Sequence, residues 1–198
     1  MNVHLVLICV YSMNKKELIL KTTLHLVNRH GFYHLSMKEL AETAGISAGT
    51  TYLYFDSKES LINELYKNII IEFNGKVLKG YEKGRSFRSN YFDMMNNAVD
   101  YYIKNPECFS FIEQYTYSPF IFKETQEENL AILEPIQKII KEAKKEKMVK
   151  ELPETLLIAL SYGPIVSMMK LFMAGRTDLK TKTTKEQLLE ACWKAVSI

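Results

Sequence analysis

From Met13 onward the apolar residues of this chain recur at helical intervals, and no segment shows the strict alternation of a half-buried strand. Leu18, Ile19, Leu26 and Val27 form a first stripe that stops at Gly31, a helix end. Ser36 stands three residues before Glu39, the spacing of a capping box, and opens a short helix that buries Met37, Leu40 and Ala41. Ala44 and Gly45 close it, with glycine free to take the positive φ of a tight turn. Ser47 starts another short helix over residues 48–55. Asp56 or Ser57 then caps a fourth helix, with Glu59 at its positively polarised end. Its stripe of Leu61, Leu65, Ile69 and Phe73 runs to about Gly80.

The rest follows the same pattern. Residues 80–89 hold two glycines and mixed charge, as expected of a hinge. A helix over 91–104 is broken by Asn105-Pro106, and one over 107–117 ends near Ser118-Pro119. Residues 125–147 read as one long helix whose charged end is a solvated face, with Pro135 either kinking it or marking its true start. Pro153 suits the first position of a helix reaching Ala174, bent at Gly163-Pro164 and closed by Gly175. Thr184 with Gln187 caps a last helix that carries Trp193 and Val196. The fold class is all-α.

Composition removes several function classes. Apolar residues make up 47% and charged residues 25%, which suits a folded globular chain. A net charge of +3 does not announce a nucleic-acid partner, so any such binding must come from a local surface. No apolar run approaches the ~20 residues of a membrane span, and no membrane partner is expected. Cys9, Cys108 and Cys192 are far apart and form no CxxC pair, which argues against zinc or redox chemistry and fits a reducing cytoplasm. Residues 1–12 are an atypical apolar extension with no preceding cation and no cleavage site, so a signal peptide is not expected. His30 and His34 have i, i+4 spacing, but Gly31 lies between them and no HExxH motif or third ligand accompanies them. Cys108 has no evident base. No metal, cofactor or enzymatic activity is expected.

Residues 36–61, SMKELAETAGISAGTTYLYFDSKESL, carry the functional signal. Two short helices joined by Ala44-Gly45-Ile46 have helix-turn-helix anatomy, in which the second helix enters the DNA major groove. Ser47, Ala48, Gly49, Thr50 and Thr51 are small enough for close approach, and their hydroxyls can bond phosphates or base edges. Tyr52 and Tyr54 add flat side chains with a polar tip, and Lys58 adds a cation in the first turn of the next helix. Residues 13–58 carry a net charge of only +2: Lys15, Lys16, Lys21, Arg29, Lys38 and Lys58 against Glu17, Glu39, Glu42 and Asp56.

This window resembles the N-terminal domain of the tetracycline-repressor (TetR) family. The resemblance rests on Gly31-Phe32, Ser36 with Leu40-Ala41, the run from Ala44-Gly45-Ile46-Ser47 through Gly49-Thr50 and Tyr52 to Tyr54-Phe55, and Lys58 with Leu61. It implies a ligand-responsive transcriptional regulator, a repressor, that binds a palindromic double-stranded DNA operator as a homodimer. A small hydrophobic or aromatic effector would release it. It also implies DNA contacts from Ser36, Ser47, Ala48, Gly49, Thr50, Thr51, Tyr52, Tyr54 and Lys58. The family often has a lysine or arginine where Ala48 stands, and its absence should lower the salt dependence of binding by roughly one unit per missing contact. The domains expected are 13–57 for DNA binding and 58–198 for a larger helical ligand-binding and dimerisation domain.

Residues 91–173 are rich in aromatics and methionines, most of them core. Since the family's C-terminal helices enclose an apolar cavity, Tyr102, Phe111, Tyr115 and Tyr162 are the candidate pocket residues, and Glu113 is the only carboxylate placed for a cationic ligand. Leu160, Ser167 and Leu171, with Leu188 and Cys192 from the last helix, are the candidate dimer face. The alternative is a helical small-molecule- or lipid-binding module without DNA binding.

Overall fold

Ten α-helices make up the regular structure of residues 14–198, the part of the chain that this computed structural model describes. The apolar extension at residues 1–12, with Cys9, lies outside the described residues. In chain order the helices are α1 (Lys15–His30), α2 (Met37–Ala44), α3 (Ala48–Tyr54), α4 (Lys58–Val77), α5 (Phe87–Lys104), α6 (Pro106–Tyr115), α7 (Lys123–Ile132), α8 (Glu134–Lys145), α9 (Glu154–Met173) and α10 (Lys182–Val196). They fall into two compact units. The first holds the described residues up to Ile69 together with Glu107–Gln126, and the second holds Ile70–Pro106 and Glu127–Ile198.

In the first unit, side-chain caps set the helix starts. Asn14 Oδ1 accepts from Lys16 N to cap α1, and Ser36 Oγ accepts from Glu39 N at 3.1 Å to cap α2. Of the two candidate caps for α4 it is Ser57 that serves, its Oγ accepting from Ser60 N at 3.0 Å. Ile19, Leu26 and Val27 of α1 are buried in this core, as are Leu40, Ala41, Leu61 and Ile62. The unit is larger than the segment 13–57 because residues 58–69 and 107–126 are built into it. Phe109, Phe111 and Tyr115 are buried there. Phe32 N donates to the Tyr115 hydroxyl at 3.1 Å, and Tyr66 donates to Thr116 Oγ1. The Asn63 amide is buried and donates to the carbonyl of Phe120, while its Oδ1 accepts from Phe122 N, both at 2.8 Å. These polar ties fix the backbone of the segment in one register, since leaving either partner buried and unpaired costs about 1–3 kcal/mol.

The second unit has a core of Val77, Met94 and Ala98, covered by Phe73, Leu78, Met95, Ile136 and Ile139. The single helix expected over 125–147 is two, α7 and α8. They break at Leu133, and Pro135 lies in the first turn of α8, where a missing N–H is tolerated. Pro153 stands just before α9 rather than inside it, and α9 runs unbroken through Pro164. Thr181, not Thr184, precedes α10, and its hydroxyl donates to Thr184 Oγ1. Lys150 Nζ donates to the carbonyls of Lys194 and Ala195, closing the C-terminal end of α10 where free carbonyls collect.

Helix α9 corrects one expectation. Among the described residues it is the one helix long and apolar enough to cross a membrane, and only 17% of its most apolar window is buried within the chain. The sequence conceals this because Glu154, Gly163, Pro164 and Lys170 interrupt the apolar run without ending the helix. Leu157, Ile165 and Met169 face inward. Leu156, Ile158 and Leu171 remain exposed.

Candidate nucleic-acid interface

Helices α2 and α3 form the expected pair, joined through Gly45 in the left-handed region (φ 67°). A side chain there would be strained, and glycine lets Ile46 N return to the carbonyl of Ala41 at 3.0 Å. Ser47 caps α3: its Oγ accepts from Thr50 N at 3.1 Å and shares a 2.8 Å hydrogen bond with the Thr50 hydroxyl. The cap matters because seven residues alone would not hold a helix in water.

The predicted contact residues divide by direction. Ser36, Ser47, Ala48, Gly49, Tyr52 and Tyr54 are exposed, and Thr50 is half-buried. Thr51 is a correction. It is fully buried, so its hydroxyl cannot reach DNA and finds no hydrogen-bond partner inside the protein. It shares the inward face of the helix pair with Phe55, one turn on. Sequence reasoning missed Leu53, which is 84% exposed and the most outward side chain of α3. Its signal lay in the wheel of a short helix, two positions from Thr51 and so nearly opposite it.

The electrostatics of this unit are modest. The Lys58 ammonium lies over the Phe32 ring, 4.5 Å from its centroid, which holds the cation near the start of α4. Lys16 pairs with Glu64, and His25 Nδ1 meets Glu107 Oε1 at 2.9 Å. No group of three or more metal-ligating side chains occurs among the described residues.

The four candidate pocket aromatics do not belong to one unit. Phe111 and Tyr115 stack on each other at 4.9 Å in the first unit, where Tyr115 also holds Phe32. Burial pushes the Tyr115 hydroxyl above the usual phenol range. Tyr102 and Tyr162 are in the second unit and share a hydroxyl–hydroxyl hydrogen bond at 2.5 Å, with Phe73 stacked on Tyr102 at 4.9 Å. Also in the second unit, Asn74 and Asn129 are buried. Asn74 Nδ2 donates to the carbonyl of Ile132, while Asn74 Oδ1 and both polar atoms of the Asn129 amide have no protein partner. Glu113 is exposed, and every buried polar side chain among the described residues is a neutral threonine or asparagine.

The candidate dimer residues also divide. Leu160 is half-buried, and Ser167 and Leu171 are exposed on the outward stripe of α9. Leu188 and Cys192 are a correction: both are buried within the chain, because the stripe they share with Leu189 and Val196 is the one α10 turns to its own core. Burial pushes the Cys192 thiol up to about 11.

With this geometry in view, the comparisons with known proteins agree. Residues 19–65 match the family model of bacterial regulatory proteins of the tetR family, and residues 87–197 match a tetracyclin repressor-like C-terminal domain. An HTH-type transcriptional regulator of Haemophilus influenzae is 28% identical over 91% of this chain and 94% of its own length. A TetR-family regulator of that organism has a solved structure with a TM-score of 0.79 at 25% identity, covering 93% of this chain and 97% of that one. Another from Marinobacter aquaeolei reaches 0.86 at 23% identity, over 92% and 95%.

Proposed function

Because this chain belongs to the TetR family of bacterial transcriptional regulators, we propose that it is a cytoplasmic, ligand-responsive repressor that binds a palindromic operator as a homodimer. The carrying observation is the exposed face of α3 on a capped helix-turn-helix. Such a helix would enter the major groove, and Ser36, Tyr52, Tyr54 and Lys58 would supply phosphate and flanking contacts. Two copies present their recognition helices about one turn of DNA apart, on the order of 34 Å.

The exposed stripe of α9 supports the homodimer. A helix this apolar is left largely uncovered by its own chain, and a second copy would cover it. The effector is small, neutral and apolar or aromatic. Phe73, Tyr102 and Tyr162 supply aromatic surface, the Asn74 and Asn129 amides supply hydrogen-bonding groups, and no charged side chain among the described residues is buried to meet an ionic ligand. Helix α4 contributes residues to both units and is the route by which an effector would loosen operator binding. A coupling of about 1–3 kcal/mol is enough for a severalfold effect.

The test is fluorescence anisotropy of the purified chain with DNA recovered by selection, repeated across salt concentrations and with a panel of neutral aromatic compounds. Saturable, salt-dependent binding that weakens with one class of compound is expected. Binding of compounds with no attachment to any DNA would favour a helical small-molecule- or lipid-binding module instead.

A further inference from the structure

The face that α3 turns outward carries almost no hydrogen-bonding chemistry. Successive helical residues are about 100° apart, so Gly49 and Leu53 stand roughly opposite the buried Thr51, with Thr50 and Tyr52 on either side of them. Between Ser47 and Tyr54 there is no arginine, lysine, asparagine, glutamine, aspartate or glutamate. Those are the side chains that read guanine, adenine and cytosine through paired hydrogen bonds in the major groove. The Ser47 and Thr50 hydroxyls already bond each other. The most exposed of its large apolar side chains is Leu53, 84% exposed and so contributing little to the packing of the helix.

The major groove offers one apolar feature, the C5 methyl of thymine. We propose that Leu53 is a specificity-determining residue that reads a thymine in each operator half-site through that methyl. This rests on the operator-binding reading above. Gly49 opens the approach: a side chain there would stand beside Leu53 on the same face and hold the helix off the bases. Specificity then comes from shape and methyl burial, and the hydroxyls of Tyr52 and Tyr54 fix register on the backbone.

The experiment selects operator DNA with the full-length protein, then replaces each thymine of the half-site in turn by deoxyuridine, which removes the methyl and keeps the base pair. One position should lose about fourfold in affinity per half-site, the value of one buried methyl. In Leu53→Ala, that position should become indifferent to the replacement, while the effects of deoxyuridine elsewhere persist. Leu53→Val should retain part of the sensitivity. Leu53 is exposed, so both variants should fold, with unchanged helical circular dichroism. A bound operator indifferent to every methyl, or a methyl effect that survives Leu53→Ala, overturns this assignment and leaves operator binding standing. A selection that returns no bound sequence overturns both.

Discussion

The exposed face of α3 in the first unit and the outward stripe of α9 in the second differ in nearly every physical respect. Helix α3 is seven residues long and built of small and hydroxyl-bearing side chains around one exposed leucine. Helix α9 is twenty residues long and apolar almost throughout. The first surface suits a partner that is itself polar and grooved, where close approach and a few positioned contacts give recognition. The second suits a partner as apolar as itself, where burial supplies affinity at roughly 25 cal/mol per Å². Exposure alone does not identify a binding surface. Its chemistry selects the partner.

The largest expected effect breaks the second surface. Leu171→Glu places a carboxylate on the outward stripe of α9, where the chain does not bury it but a second copy would. Desolvating that charge costs several kcal/mol, so sedimentation should report a monomer, with a melting temperature lowered by the lost association and no longer dependent on protein concentration. Operator affinity should then fall by about two orders of magnitude or more, because the two half-sites no longer bind together. A dimer that survives the substitution would remove α9 from the interface.

Next comes the first surface. Lys58→Ala removes the cation held over Phe32 and should weaken DNA binding severalfold. The more informative readout is the slope of log affinity against log salt, which should shrink by about one unit per half-site. An unchanged slope would mean that the ammonium spends itself on the Phe32 ring rather than on phosphate.

The same contrast explains what could be seen in the sequence. The Ser36 cap, the helix start at Ser47 and the turn at Gly45 are decided within four residues, so spacing located them, while it left the α4 cap open between Asp56 and Ser57. The direction a side chain faces is decided by whatever packs against its helix. Thr51 and Leu53 look equally available in sequence, yet one is fully buried and the other is the outermost residue of α3. Leu188 and Cys192 form a good apolar stripe, but α10 turns that stripe to its own core and leaves none of it for a partner. The capture of residues 107–126 by the first unit depends on Asn63, whose partners lie 57 and 59 residues away and which carries no periodic signal.

Cys192 offers a test of which way α10 faces. If it lay at a dimer face, separating the copies would expose it. Buried in its own chain, it should resist thiol reagents equally in the native protein and in Leu171→Glu, and react only after unfolding. Its pH signature has a definite sign. The folded thiol keeps its proton up to about pH 11, whereas the unfolded thiol loses it near 9.0. Below pH 9 both states are protonated and this group adds no pH dependence. As pH climbs from 9 toward 11 the unfolded state alone ionises, so stability declines across that window. Denaturant melts of the native protein and Cys192→Ala, compared across it, isolate the contribution.

The smallest effect concerns Thr51, and it separates packing from recognition most cleanly. Thr51→Val keeps the shape and removes a hydroxyl that is buried with no partner inside the protein. Relieving that desolvation should stabilise the chain by about 1 kcal/mol, and a chain of this size should gain about 2–4 °C in melting temperature. Operator affinity should stay within about twofold, since surface contacts on the opposite face are untouched. Calorimetry and anisotropy on one preparation give both numbers. A loss of DNA affinity with unchanged stability would mean that the Thr51 hydroxyl reaches the operator after all, and α3 would have to rotate on docking. A gain in stability with affinity held would leave Leu53, not Thr51, as the residue that faces the bases.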